Sequence, residues 1–160
     1  MILDELAAYA SFRVAEAKKK IAADEMERKA RSLPKGDFRF EHALCNTEVS
    51  FICEVKRASP SKGLIAEDFP YVKIAREYEQ AGADCVSVLT EPKWFLGSDE
   101  IFKEIRAAIT LPMIRKDFTV DAYQIYEAKC MGADAVLLIC ALLPTETIRE
   151  YLKICDDLGL

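Results

Sequence analysis

The chain has 160 residues, 51% hydrophobic and 31% charged, with a formal net charge of −5. That length and mixture exclude a disordered chain and supply enough apolar surface for one domain with a sizeable core. Acids and bases are interspersed and the balance is acidic, which speaks against a nucleic-acid partner. No apolar run reaches the length of about 18 residues that a membrane span needs.

The N-terminus mixes acids and bases early and has no apolar signal core, so a cytoplasmic location is expected rather than a secreted one. Residues 2 to about 30 are predicted as helix, because Leu3, Ala7, Ala10, Val14, Ala17 and Ile21 recur at steps of four and three. Small residues and the short extent of the pattern favour a helix packed on the body of the protein over a coiled coil. The stretch LPKGD, residues 33 to 37, ends it.

Strands and helices then alternate. Ser50 to Lys56 is predicted as strand and Tyr71 to Ala81 as helix, with Pro70 suited to its first turn. Cys85 to Leu89 is a second strand, and Ser98 can cap the next helix, with Asp99 and Glu100 favourable in its first turn. Pro112 to Lys116 is a third strand, followed by a helix capped by Asp121 and running to Met131. Ala135 to Ile139 is a fourth strand, and Thr145 can cap a last helix with Ile148, Leu152 and Cys155 on one face.

Two segments echo each other: AGADCVSVL at 81 to 89 and MGADAVLLI at 131 to 139. Each reads as a helix end, a glycine fit for a left-handed turn and a buried strand. Strands alternating with helices give an α/β chain with a parallel sheet, and nearly continuous apolar strands fit a sheet covered on both faces. DDLGL at 156 to 160 looks like a further helix terminus with Gly159 in the same role. A fifth strand is expected to follow such a turn, so the sequence reads as part of something larger.

The six cysteines, at 45, 53, 85, 130, 140 and 155, contain no C-x-x-C pair and are expected as buried free thiols. His42 stands apart from any second histidine or cysteine, so a metal site is not expected on it.

The informative charges lie in FICEVKRASPSKGLI, residues 51 to 65. Alternate residues of a strand share a face, so Glu54 and Lys56 lie on one side and Cys53 and Val55 on the other. Helices cover the outer side with apolar contacts, which sends Glu54 and Lys56 inward. In PMIRKDF, Lys116 stands near the end of the third strand in the same way. Two lysines and a carboxylate are thus expected at the C-terminal mouth, where α/β folds hold their chemistry. Solvated strand-end charges or a structural ion pair are the plainer alternative. A lysine at that mouth can hold an anion or donate a proton, and a neighbouring carboxylate can keep it charged. SPSKG at 59 to 63 lacks the full phosphate-loop pattern and reads as an ordinary loop. Trp94, Phe95 and Phe118 follow the second and third strands and suit either core contacts or the flanks of a planar ring.

Together EVKRASPSKG, VLTEPKWFLGS, PMIRKDFTVDAYQIYEA and GADAVLLI resemble indole-3-glycerol-phosphate synthase. The resemblance runs the length of the chain and includes a helical extension before the first strand. It implies a TIM barrel of the (β/α)8 type, here about four βα units at residues 49–160 after an extension at 1–48. It implies a carboxy-lyase of tryptophan biosynthesis that closes the indole ring of 1-(2-carboxyphenylamino)-1-deoxyribulose 5-phosphate with loss of carbon dioxide and water. By the same resemblance no cofactor or metal is used. Lys116 matches the general acid, Lys56 the lysine that contacts substrate and phosphate, and Glu54 the catalytic carboxylate. Ser59 and Pro60 match the loop beside the substrate, and Phe95, Phe118 and Leu137 the apolar pocket for its ring. The family's later strands bear a further glutamate, an Asn-Arg segment, a Glu-Ser-Gly segment and a phosphate cradle, none of which the 160 residues match. Little or no turnover is therefore expected of this polypeptide alone. Activity is expected only when the missing C-terminal half is supplied. The alternatives are a half-barrel that folds as a scaffold or self-associates through its open edges, with no catalysis, and, less well fitted by the lysine motifs, another phosphate-handling barrel.

Overall fold

The computed structural model describes residues 2–45 and 49–160; the boundary expected at residue 48 falls outside them. In chain order the elements are α1 Ile2–Lys20, α2 Ala23–Ser32, α3 Arg39–Leu44, β1 Ile52–Val55, β2 Ala58–Ser59 and β3 Gly63–Leu64. There follow α4 Tyr71–Gln80, β4 Cys85–Leu89, α5 Asp99–Ala108, β5 Met113–Lys116, α6 Ala122–Cys130, β6 Ala135–Val136 and α7 Thr145–Leu158. Four strands form one parallel sheet in the order β1-β4-β5-β6, with a helix after each. Sequential strands are therefore spatial neighbours, as successive βα units require.

The main core lies on the outer side of this sheet. Val55, Val86, Val88 and Met113 pack against Ala75 of α4 and Phe102 and Ile105 of α5. These are alternate residues of their strands, so the opposite set, with Glu54, Ser87, Leu89 and Lys116, faces the hollow. A second core joins Val14, Met26 and Ala30 of the first two helices to Tyr123 and Tyr126 of α6 and Tyr151, Cys155 and Leu158 of α7. The N-terminal helices are thus built into the body, as a non-coiled-coil helix should be.

The echoed Gly-Ala-Asp turns share one geometry. Gly82 and Gly132 take left-handed φ values of 87° and 82°. Each closes the preceding helix with the same bond pair: Gly82 N to Glu79 O and Ala83 N to Tyr78 O, Gly132 N to Lys129 O and Ala133 N to Ala128 O. The aspartate then reaches back to the strand alongside. Asp84 Oδ2 accepts from Phe51 N at 2.7 Å, and Asp134 Oδ2 accepts from Met113 N at 2.9 Å. Each turn therefore ends a helix and sets the start of a neighbouring strand.

Several expectations need correction. The single helix over 2–30 is two helices, separated where Ala22 is extended (φ −62°, ψ 153°). The Tyr123 hydroxyl lies 3.3 Å from the Ile21 carbonyl at this break and 3.3 Å from the Ala17 carbonyl, which also accepts from Ile21 N at 3.0 Å. Thr145 is the first helical residue of α7, not its cap; Pro144 holds that position, extended and with no side-chain bond. Leu152 is 55% exposed, while Tyr151, Cys155 and Leu158 form the buried face. The fourth strand is paired only over Ala135–Val136, at the edge of the sheet, with no strand beyond it among the described residues. Of the six cysteines only Cys85 and Cys155 are buried; Cys45, Cys130 and Cys140 are exposed and Cys53 is intermediate. Around SPSKG the chain forms a short antiparallel ribbon, Ala58–Ser59 against Gly63–Leu64.

Candidate active site at the strand ends

The register brings the inward residues into line. Glu54 stands opposite Ser87, Ser87 opposite Ile114, and Leu89 opposite Lys116. Glu54 and Lys116 thus come from strands on either side of β4 and meet across it. Lys56 Nζ donates to Glu54 Oε1 at 2.7 Å, and Lys116 Nζ donates to Glu54 Oε2 at 2.9 Å. The Ser87 hydroxyl adds a third bond to Oε2 at 3.0 Å.

Electrostatically, burial alone raises the Glu54 carboxyl. Hydrogen bonds from Lys56 and Lys116, the Lys116 charge and the Ser87 hydroxyl outweigh it, so the group titrates below the usual glutamate range. The cluster is a carboxylate between two ammonium groups, all about one-third exposed, and carries a net positive charge.

Apolar walls surround these charges. Glu54, Lys56, Leu89, Phe95, Lys116, Asp117, Phe118 and Leu137 line a pocket of about 160 Å³. The Phe95 and Phe118 rings lie 6.1 Å apart with a 43° tilt. A second hollow of about 530 Å³ adjoins it through Lys56 and Phe95 and is lined by Ser59, Pro60, Ser61, Lys62 and Ile65. The eight residues that the resemblance matches to the site therefore all fall in these two joined hollows. Trp94 does not; its ring packs edge-on against Tyr9 of α1 at 5.6 Å. A larger concavity, about 670 Å³, lies on the outer helices α4 and α5 and holds none of the strand-end charges.

The strand end that carries Lys116 and Phe118 is pinned by the residue between them. Asp117, 4% exposed, accepts from Arg13 of α1, from the Thr90 hydroxyl at 2.6 Å and from Phe118 N at 2.8 Å. Next to it Arg115, 3% exposed, pairs with Asp99 at 2.9 Å and Glu127 at 2.8 Å. Sequence reasoning passed over Ser87, Leu89 and Asp117. Ser87 carried a usable signal, as the one hydroxyl in the apolar run CVSVL on the inward face. The pairing of Asp117 with Arg13 had none, since 104 residues separate the partners.

A pocket that sets two ammonium groups about one carboxylate beside two aromatic rings can hold an anionic, planar ligand and deliver a proton to it. Parallel strands backed by helices, with such a cluster at their C-terminal ends, are the arrangement found in half of a (β/α)8-barrel enzyme. A family model described as Indole-3-glycerol phosphate synthase matches residues 3–160, and the chain belongs to that family. The relative of that name from Ruminiclostridium cellulolyticum is 55% identical over 161 aligned positions, covering 100% of this chain and 62% of the relative. That from Endomicrobium trichonymphae is 48% identical with the same coverage. That from Lachnoclostridium phytofermentans is 53% identical over 81% of this chain and 48% of its own length. The chain thus spans at most about 62% of the length of these relatives.

Proposed function

We propose that this chain carries the ring-binding and proton-donating part of a cytoplasmic carboxy-lyase, indole-3-glycerol-phosphate synthase. Its substrate is 1-(2-carboxyphenylamino)-1-deoxyribulose 5-phosphate. Phe95, Phe118 and Leu137 flank the anthranilate ring. Lys116 donates a proton from Nζ to the carbonyl oxygen of the sugar-derived chain. That makes the carbonyl carbon electrophilic toward the ring carbon bearing the carboxylate, and carbon dioxide and then water leave as the indole forms. Lys56 contacts substrate and phosphate beside Ser59 and Pro60. Glu54 holds both ammonium groups in place.

The observation that carries this reading is the single carboxylate of Glu54 bridging Lys56 and Lys116, at 2.7 and 2.9 Å, against the Phe95–Phe118 wall. A purely structural ion pair needs no aromatic hollow beside it. The 160-residue polypeptide is expected to bind the substrate weakly and to turn it over little or not at all. Product formation is measured with the carboxyphenylamino substrate, first alone and then with the part of the R. cellulolyticum relative that this chain does not match. Turnover that appears on that addition and vanishes in K116A supports the proposal; full turnover by the isolated chain, or by K116A, rejects it.

A second reading rests on the sheet edges. Neither β1 nor β6 has an outer partner among the described residues, and Phe51 and Ile52 are 60% and 49% exposed. The occupant proposed for these edges is a second copy of the chain, turned by half a revolution so that each β1 meets the other copy's β6. Light scattering at a mass near twice 18.0 kDa supports it, and a monomer at all concentrations rejects it.

A further inference from the structure

Just beyond β4 stands Glu91, a carboxylate with 0% exposure that does not line the ring pocket. Its bonds run to its own loop. Oε1 accepts from Lys93 N at 2.9 Å, and Oε2 accepts from Trp94 N at 2.7 Å and Phe95 N at 2.9 Å. Three consecutive backbone N–H groups therefore converge on one buried anion, which compensates the loss of its hydration.

The far end of the loop is closed as tightly. Gly97 N donates to Glu91 O at 2.9 Å, and a side chain at Gly97 would meet Leu89 O at 2.1 Å. Between them Leu96 takes a φ of 53°, a left-handed conformation that leucine adopts only when its surroundings impose it. The loop sorts two adjacent aromatics. Trp94 turns to Tyr9 of α1, and Phe95 turns to Phe118 across the pocket.

We infer that Glu91 is a positioning residue for aromatic specificity: by fixing the N–H groups of residues 93–95 it sets the Phe95 ring against Phe118, so that the two rings together form one apolar wall of the pocket on which a planar ring can lie. The loop geometry stands by itself; its use for a ring ligand rests on the function proposed above. Glu91 touches no ligand and acts through Phe95. A carboxylate suits the task better than an amide, because both of its oxygens accept while an amide nitrogen would face an N–H.

The test is Glu91→Gln in the 160-residue chain labelled with 4-fluorophenylalanine, with the Phe95 resonance assigned from Phe95→Leu. The variant is expected to keep its far-UV circular dichroism, to move the Phe95 fluorine resonance toward its solvent-exposed value, and to red-shift the emission of Trp94, the sole tryptophan. Anthranilate is the ligand probe. Its affinity is expected to fall about tenfold or more in Glu91→Gln, and to fall no further when that change is added to Phe95→Leu. An unmoved Phe95 resonance overturns the inference, as do additive losses of affinity. Should Glu91→Gln not fold, Glu91→Asp, which withdraws the charge by one methylene, is read in the same way. If the unchanged chain binds no anthranilate, the proposed function fails, and the positioning of Phe95 is then decided on the fluorine resonance.

Discussion

Arg13 of the first helix grips Asp117 of the strand end beside Lys116, with Nη2 2.6 Å from Oδ1 and Nη1 3.1 Å from Oδ2. The helix at the chain's beginning is thereby tied to the rim of the proposed site. Burial alone raises the Asp117 carboxyl. The Arg13 bonds, the charges of Arg115 and Arg13 and the Thr90 hydroxyl overcome that and hold it below the usual aspartate range. Removing Arg13 leaves a buried carboxylate short of its main partner, so R13A is expected to lose about 3 kcal/mol in urea unfolding. The sign with pH follows. A depressed folded pKa stabilises above the unfolded value of about 3.9, and that stability is lost as pH falls through the folded one. R13A should therefore lose less than the unchanged chain between about pH 5 and pH 2. Parallel stability curves for the two would show that the pair does not hold the rim.

The outer core gives a prediction free of electrostatics. Phe102 and Ile105 of α5 are fully buried against Val86, Val88 and Met113. Each contributes about 1.5–3 kcal/mol by burial alone. F102A also leaves a cavity and is expected to cost about 3–5 kcal/mol, read as a lower urea midpoint at unchanged slope. A cost under about 1 kcal/mol would mean that the helix is not packed on the sheet as described.

What the sequence made legible, and what it did not, divides by the range of the forces. The glycine turns and the strands after them were readable because Gly82 and Gly132 each act within a few residues. The face of Glu54, Lys56 and Lys116 was readable because strand alternation has period two and the charges interrupt apolar runs. The break at Ala22 was not, since no proline or glycine marks it and the Tyr123 hydroxyl that meets the Ile21 carbonyl there lies 102 residues away. Nor was the turning of Trp94 to the first helix, which depends on a buried Glu91 gathering the backbone beneath it. Leu152 keeps helical spacing with Ile148, yet lines an open groove with Val136 and Leu138 rather than the core. Six cysteines in apolar runs suggested burial, but exposure at Cys130 and Cys140 is set by where each element meets solvent.

The Glu54 cluster has its own pH signature. Its carboxyl titrates below the usual range because the lysine bonds and the Lys116 charge outweigh burial. Its stabilising contribution is therefore present above the unfolded glutamate value of about 4.3 and is lost as pH falls through the lower folded value. E54Q should abolish that segment of the stability profile. It also leaves Lys56 and Lys116 without the carboxylate between them. Sulfate should then bind about three- to tenfold more tightly at low ionic strength, and the gain should fade with added salt. Unchanged sulfate affinity would mean that the two ammonium groups do not share one hollow.

The thiols test the distribution of burial. Burial, with the nearby charges of Asp84 and Asp134, pushes the Cys85 thiol up to about 11, and burial alone pushes Cys155 to about 11. Few of these groups are thiolate at neutral pH, and access is blocked as well. In the reduced native chain a thiol reagent should titrate Cys45, Cys130 and Cys140 first. Cys130 should be the slowest of the three, because burial of its sulfur raises its thiol too. Cys85 and Cys155 should react only after urea unfolding. Cys53 lies on β1 at the sheet edge with intermediate exposure, so its rate measures how often that edge strand opens. If Cys85 reacts as fast as Cys45, β4 is not covered by the third helix, whose Phe40 carbonyl lies 3.8 Å from the Cys85 sulfur. Slow labelling of Cys85 beside fast labelling of Cys53 would place the weak part of the sheet at β1.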